Sequence, residues 1–293
     1  LKERTPIAGL PGVFRETETS LTQAMQDAAQ DKLKAVILFG VSHHKDSTGS
    51  DTMNPNGLLA RMIRRAKDAS PETLVIADTC FCEYTDHGHC GPLDSRGDVD
   101  NDATLDNLAR QAVIAAEAGA DIIAPSGMMD GMVAAIRAGL DQSGFEHIPI
   151  LSYAAKFASC FYGPFRDAAG CALGTAQHTR KDRKTYQMNP ANRLEALREA
   201  AQDIAEGADM IMVKPGLPYL DIIRDIKNEF KMPTFAYHVS GEYAMLKAAA
   251  EKGMLNYDDA LMETLLSFKR AGCDGILTYA ARDAARLLTK ICG

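Results

Sequence analysis

Ala118-Gly119-Ala120-Asp121-Ile122-Ile123, Glu206-Gly207-Ala208-Asp209-Met210-Ile211 and Ala271-Gly272-Cys273-Asp274-Gly275-Ile276 are three versions of one joint. Each follows a stretch of helical periodicity, places Gly where a helix most easily ends in the left-handed conformation, and runs on into an apolar strand. Working outward from these joints, strands are expected at 35–41, 74–79, 122–126, 149–155, 210–214, 233–239 and 276–280. Helices are expected near 21–32, 58–67, 103–118, 129–140, 193–206, 220–230, 242–252 and 258–271. Runs such as Ala35-Val36-Ile37-Leu38-Phe39 are continuously apolar, the mark of a strand buried on both faces. Alternating β and α units with buried strands predict a parallel sheet. The favoured closure is an α/β fold of the (β/α)8 TIM-barrel type, because polar residues able to do chemistry follow nearly every strand. A doubly wound open sheet is the alternative, but no G-x-G-x-x-G follows any strand. Residues 1–20, with Pro6, Gly9, Pro11 and Gly12, read as an irregular lead-in.

Composition narrows the class of function. The 293 residues carry 32 basic and 39 acidic side chains, a net charge of −7 with no long basic block, which argues against a nucleic-acid partner. No apolar run approaches the ~18 residues of a membrane helix, and no signal peptide is visible. Seven Cys, odd in number and spread along the chain, fit a reduced, cytoplasmic protein better than a disulfide scaffold.

The strand at 74–79 delivers Asp78-Thr79-Cys80-Phe81-Cys82-Glu83-Tyr84-Thr85-Asp86-His87-Gly88-His89-Cys90. Thiolates and imidazoles are the ligands that Zn²⁺ prefers, and three protein ligands with an open position is the catalytic arrangement. Inert buried thiols are the competing reading. By chemistry alone His87 or His89 is also a ligand candidate. His43 and His44 lie in a long polar loop and read as solvated.

Two strand ends carry a lysine: Leu151-Ser152-Tyr153-Ala154-Ala155-Lys156 and Met210-Ile211-Met212-Val213-Lys214. A lysine there usually reaches to water. On consecutive strands of a barrel, however, the two would face one mouth. A neighbouring cation and apolar walls lower an ammonium pKa, giving the neutral amine that attacks a ketone to form a Schiff base.

The cysteine stretch, Tyr153–Ser159 running into Phe161-Tyr162-Gly163-Pro164-Phe165-Arg166-Asp167, Met212-Val213-Lys214-Pro215-Gly216 and Val239-Ser240-Gly241-Glu242-Tyr243 together resemble the porphobilinogen synthase (δ-aminolevulinic acid dehydratase) family, from about Pro11 to the C-terminus. The resemblance implies condensation of two 5-aminolevulinate molecules to porphobilinogen with loss of water, in tetrapyrrole (haem) biosynthesis. It implies that Lys214 binds the first substrate and Lys156 the second, each as a Schiff base. Cys80, Cys82 and Cys90 resemble the zinc-dependent branch. Asp78 and Ser126 match contacts to the first substrate's amino group, Ser240 and Tyr279 ligands of its carboxylate, and Arg166 and Arg183 the clamp on the second carboxylate. His87 and His89 then stay out of the metal's ligand set. Glu199 matches a position that binds an outer Mg²⁺ in some members.

The chain departs from the family pattern in two places. The lid at 167–182 is longer, with Gln177-His178-Thr179-Arg180 as the insert, which makes Arg180 a rival for the role of Arg183; Lys184-Thr185-Tyr186-Gln187-Met188-Asn189-Pro190 fits the family register and favours Arg183. Gly127 stands where Asp is expected. A class I Schiff-base aldolase on the same barrel is the alternative enzyme, needing no metal; a metal-storing or metal-sensing protein would leave both lysines unexplained. Because seven strands are legible where a (β/α)8 barrel has eight, residues 1–293 are expected to be a single barrel domain lacking its first strand and the N-terminal arm. In the family that arm embraces a neighbouring subunit, commonly in a homo-octamer.

Overall fold

The computed structural model describes residues 3–171, 173 and 180–292. A short antiparallel hairpin, β1 (Thr5–Pro6) and β2 (Phe14–Arg15), leads into α1 (Glu18–Gln30). There follow β3 (Ala35–Leu38), α2 (Leu58–Ala69), β4 (Leu74–Thr79), α3 (Asn101–Glu117), β5 (Ile122–Pro125), α4 (Met132–Gln142), β6 (Leu151–Lys156), α5 (Gly163–Ala169) and α6 (Arg193–Ala205). The chain continues with β7 (Met210–Lys214), α7 (Leu220–Phe230), β8 (Thr234–His238), α8 (Ser240–Glu251), α9 (Tyr257–Ala271), β9 (Gly275–Thr278) and α10 (Ala281–Cys292). The hairpin, α5 and α10 are elements the sequence did not announce. The first two are too short to display a period.

Strands β3, β4 and β5 pair in parallel, as do β6, β7, β8 and β9. A parallel bridge between Ile123 and Ile150 joins the two sets. The result is an α/β arrangement of the TIM-barrel type. Among the described residues, the outer edges of β3 and β9 have no strand partner.

The repeated joint works as a clamp. Gly119, Gly207 and Gly272 have φ of +100°, +107° and +117°, values at which a Cβ is strained. The aspartate two residues later then grips the start of the neighbouring strand twice. Asp121 donates its N–H to the Val75 carbonyl (2.9 Å) and accepts from the Val75 N–H (2.7 Å). Asp209 does the same with Ile150 (3.0 and 2.8 Å), and Asp274 with Thr234 (2.8 Å each). Lys67 and Lys227 add ion pairs to Asp121 and Asp274.

Alternation along the strands sorts side chains into two cores. On β7, Ile211 and Val213 pack outward against helices with Ile222 and Ile226, while Met212 packs inward with Tyr153, Tyr237 and Leu277. Lys214, two residues beyond Met212, therefore belongs to the inner face. On β6 the parity is broken: Ser152 pairs with Ile211 but Ala155 pairs with Val213, so β6 holds one residue more. That bulge puts Lys156 directly opposite Lys214, on the inner face rather than the outer.

Candidate active site

Lys156 and Lys214 end adjacent parallel strands and are both buried. The Lys156 Nζ donates to the Ser126 carbonyl at 2.6 Å. The Lys214 Nζ lies 4.4 Å from the centre of the Tyr237 ring and 5.1 Å from that of Tyr153, with Tyr162 and Phe165 completing an aromatic wall. Burial, reinforced by the neighbouring Lys156, pushes the Lys214 pKa down to about 7. Asp78, near the end of β4, is buried and has one carboxylate oxygen with no partner. Burial and the nearby Glu83 raise its pKa to about 7.

The Sγ atoms of Cys80, Cys82 and Cys90 all lie within 4.8 Å of one another, with 3.6 Å between Cys80 and Cys82. Sulfur atoms bonded at ~2.3 Å to one tetrahedral ion stand roughly 3.8 Å apart, so the cluster fits a metal ion. Hydrogen bonds from Cys80 and Cys82 hold the Cys90 thiol well below its ordinary pKa, favouring the thiolate that a metal needs. The two histidines are engaged elsewhere. The His89 ring nitrogens face the Tyr186 hydroxyl and the Arg180 carbonyl, both at 3.0 Å, and those of His87 face the Ser47 carbonyl and the His89 N–H.

One small cavity, about 20 Å³, is lined by Cys82, Ser126, Lys156, Arg183 and Lys214 together with Phe39 and Phe165. A much larger cleft, about 1080 Å³, contains neither lysine and no thiol; it runs from Ile37 and Leu38 of β3 to Tyr279 beyond β9. Phe39 and Phe165 line both, ring centres 5.3 Å apart and edge to face, so this pair is the partition between them. Both lysines and Cys82 are on the side of the smaller space.

Arg183 is buried and donates to the Gly88 and Cys171 carbonyls at 2.7 and 3.2 Å. Arg180 points away, paired with Asp98 at 2.8 Å on an exposed surface. Of the inserted residues, Gln177, His178 and Thr179 lie outside the described residues. Arg166 on α5 is half-buried, over the Tyr162 ring at 5.7 Å. Ser240 opens α8, accepting from the Phe165 N–H and donating to the Phe161 carbonyl. Tyr279 packs on Tyr237 at 6.3 Å, one ring removed from Lys214. Glu199 is on helix α6, half-buried, its pKa raised by burial and by Asp130, Glu195 and Glu206. His43 and His44 are exposed.

Four residues here escaped the reading of the sequence. Glu83 is buried against Cys82 at 3.2 Å. Gln187 lines the small cavity with neither end of its amide hydrogen-bonded. Glu242 accepts from the Val239 and Leu217 N–H groups at 2.6 and 2.5 Å, tying the loop beyond Lys214 to the start of α8. Cys171 is fully buried. Three of them lie in stretches already singled out, Glu83 among the cysteines, Gln187 where the register of Arg183 was fixed and Glu242 beside Ser240, but none was given a role.

The family profile described as "Delta-aminolevulinic acid dehydratase" matches residues 1–287. Two similar proteins bear that name. The one from Escherichia coli K12 is 53% identical over 279 residues, covering 95% of this chain and 84% of its own. The one from Halalkalibacterium halodurans is 52% identical over 287 residues, covering 98% and 86%. Among solved structures, the crystal structure of delta-aminolevulinic acid dehydratase (porphobilinogen synthase) from Toxoplasma gondii ME49 in complex with the reaction product porphobilinogen superposes with a TM-score of 0.94. It is 46% identical, with 98% of this chain and 81% of that one covered. QR15, an aldolase, shares the fold at a TM-score of 0.52 and 13% identity.

Proposed function

Because the chain belongs to the delta-aminolevulinic acid dehydratase family, we propose that Lys214 and Lys156 hold its two substrate molecules as Schiff bases beside a zinc ion bound by Cys80, Cys82 and Cys90. The enzyme is a lyase of haem and tetrapyrrole biosynthesis, a porphobilinogen synthase that condenses two 5-aminolevulinate molecules to porphobilinogen with loss of water.

The observation that carries the site assignment is the single cavity lined by both lysines, Cys82 and Arg183. Lys214, neutral in part near pH 7, adds to the ketone of the first substrate, and the carbinolamine loses its oxygen as water. Asp78, whose carboxyl exchanges protons in the same pH range, supplies a proton to that oxygen and with Ser126 receives the substrate's amino group. Ser240 and Tyr279 bind the first carboxylate. Lys156 takes the second substrate, whose carboxylate meets Arg166 and Arg183; a guanidinium fork suits that geometry. Burial of Arg183 beside the thiols, against the exposed ion pair of Arg180, supports Arg183 in this role. Zinc supplies Lewis-acid polarisation at an oxygen or amine of the second substrate. A 20 Å³ space holds roughly one water, so both substrates enter only when Phe39, Phe165 or Arg183 gives way. Glu199, with Asp130 and Glu206 nearby, is the proposed holder of an outer Mg²⁺. The enzyme is proposed to be a cytoplasmic homo-oligomer.

The test is borohydride reduction in the presence of 5-aminolevulinate, with peptide mapping and a colour test for the pyrrole. Substrate is expected mainly on Lys214 and secondarily on Lys156, with turnover lost on verified removal of zinc. Modification of neither lysine, or full turnover without metal, would refute the assignment.

A further inference from the structure

The last paired residues of β8 and β9 are His238 and Thr278, opposite one another in register. Alternation places both on the outer face: Ala236, two residues before His238, packs in the helix-side core, whereas Tyr237 and Leu277 pack inward. His238 is fully buried there, its ring centre 6.0 Å from that of Phe268 on α9. Its Nδ1 lies 2.9 Å from the Thr278 hydroxyl, while Nε2 is buried with no partner. A buried ring with one nitrogen unsatisfied costs more than an apolar side chain of similar size. Burial also keeps the ring neutral, its pKa pushed down to about 4, so no charge accounts for it. What the ring supplies is the hydrogen bond at Nδ1.

The second observation is what this tie stands between. Tyr279 follows Thr278 directly, and the Thr278 hydroxyl also accepts from the Ala280 N–H at 3.1 Å, so it holds the backbone on both sides of Tyr279. Ser240 follows His238 by two residues and is itself fixed to Phe161 and Phe165. Among the described residues β9 has no strand along its other edge, so the position of Tyr279 depends on what β8 gives it. Strand ends are where backbone pairing runs out and opening is easiest. A side-chain bond across the last pair counters that.

We propose that His238 and Thr278 are positioning residues, a side-chain tie on the outer face that holds Tyr279 at the distance from Ser240 that one carboxylate spans. The inference rests on the reading of Ser240 and Tyr279 as the site of the first substrate's carboxylate. His238 and Thr278 themselves face away from that site. They act by keeping two donors, one beyond each strand end, in place before the substrate arrives, so that binding does not have to order them.

Two ketones test this. Levulinate keeps the ketone and the carboxylate of 5-aminolevulinate, and butanone keeps the ketone alone. Each is trapped on Lys214 with cyanoborohydride, and the half-saturating concentration is read by peptide mass spectrometry. Thr278→Val, which loses the hydroxyl and little volume, should raise that concentration about tenfold for levulinate, the worth of roughly one hydrogen bond, and leave it unchanged for butanone. His238→Leu, which removes the other half of the tie, should show the same split, and Thr278→Ser should restore the parent's value. Weakening of both probes equally, or of neither, in Thr278→Val or in His238→Leu would overturn the proposal, because the tie would then serve the fold alone. Tyr279→Phe separates this from the reading beneath it. If it binds levulinate as the parent does, the carboxylate site itself is misassigned; if it weakens levulinate while Thr278→Val does not, only the tie is wrong.

Discussion

Lys214 is made reactive by its surroundings before any substrate arrives. Its pKa falls from 10.5 to about 7 through burial and the second lysine, so the neutral amine accumulates as pH rises through about 7. Borohydride trapping of 5-aminolevulinate on the Lys214 peptide should therefore climb through that range and then level off. A rate still rising tenfold per unit at about pH 9 would belong to an ordinary lysine. Arginines offer a second test at this scale. Arg183→Ala should cost about 2–5 kcal/mol in kcat/KM, the usual effect of truncating a buried charge partner. Arg180→Ala, which removes an exposed ion pair, should leave the steady-state constants near the parent's. The lysines and cysteines were legible in the sequence because their chemistry belongs to the residue type. Glu242 was not, since its meaning comes from Leu217, 25 residues away.

At the scale of elements, most helices and strands were readable to within a turn because they are long enough to show their period, although β3 ends at Leu38 rather than 41 and α10 was not read. The bulge in β6 was invisible, because an extra residue exists only relative to the neighbour's register. Deleting Ala154 should restore plain alternation and leave Lys156 on the inner face, opposite Lys214 as before, so covalent trapping of substrate on Lys156 should survive the deletion. The aspartate clamps were likewise unread, although the repeat itself was seen: a carboxylate beside an apolar strand has no evident partner until the fold supplies one. Asp209→Ala leaves the Ile150 N–H without the acceptor it has at 2.8 Å. The expected loss of stability is about 1–3 kcal/mol, checked by denaturant unfolding; a midpoint equal to the parent's would deny the clamp its weight.

For the whole molecule the open question is what lies along the outer edges of β3 and β9. Unpaired edges template further strand pairing, so sedimentation of this chain should show larger species growing with concentration. A single unchanging species across the range would mean that those edges are already covered. Glu199 also belongs to this scale, because α6 lies in the helical layer. Glu199→Ala should weaken stimulation by Mg²⁺ and leave zinc content intact, as metal analysis beside an activity titration would read. No helix among the described residues is long and apolar enough to cross a membrane.

Clamps and lysines occupy opposite ends of the strands. Asp121, Asp209 and Asp274 hold the beginnings, whereas Lys156 and Lys214 stand at the finishes. The span of a strand, five or six residues in β7 and β6, separates what keeps the sheet assembled from the lysines proposed to perform the reaction. Heat tolerance and turnover can on that account drift independently over generations: a lineage moving to warmer surroundings could rework the clamped end repeatedly while the reacting end stays as it is.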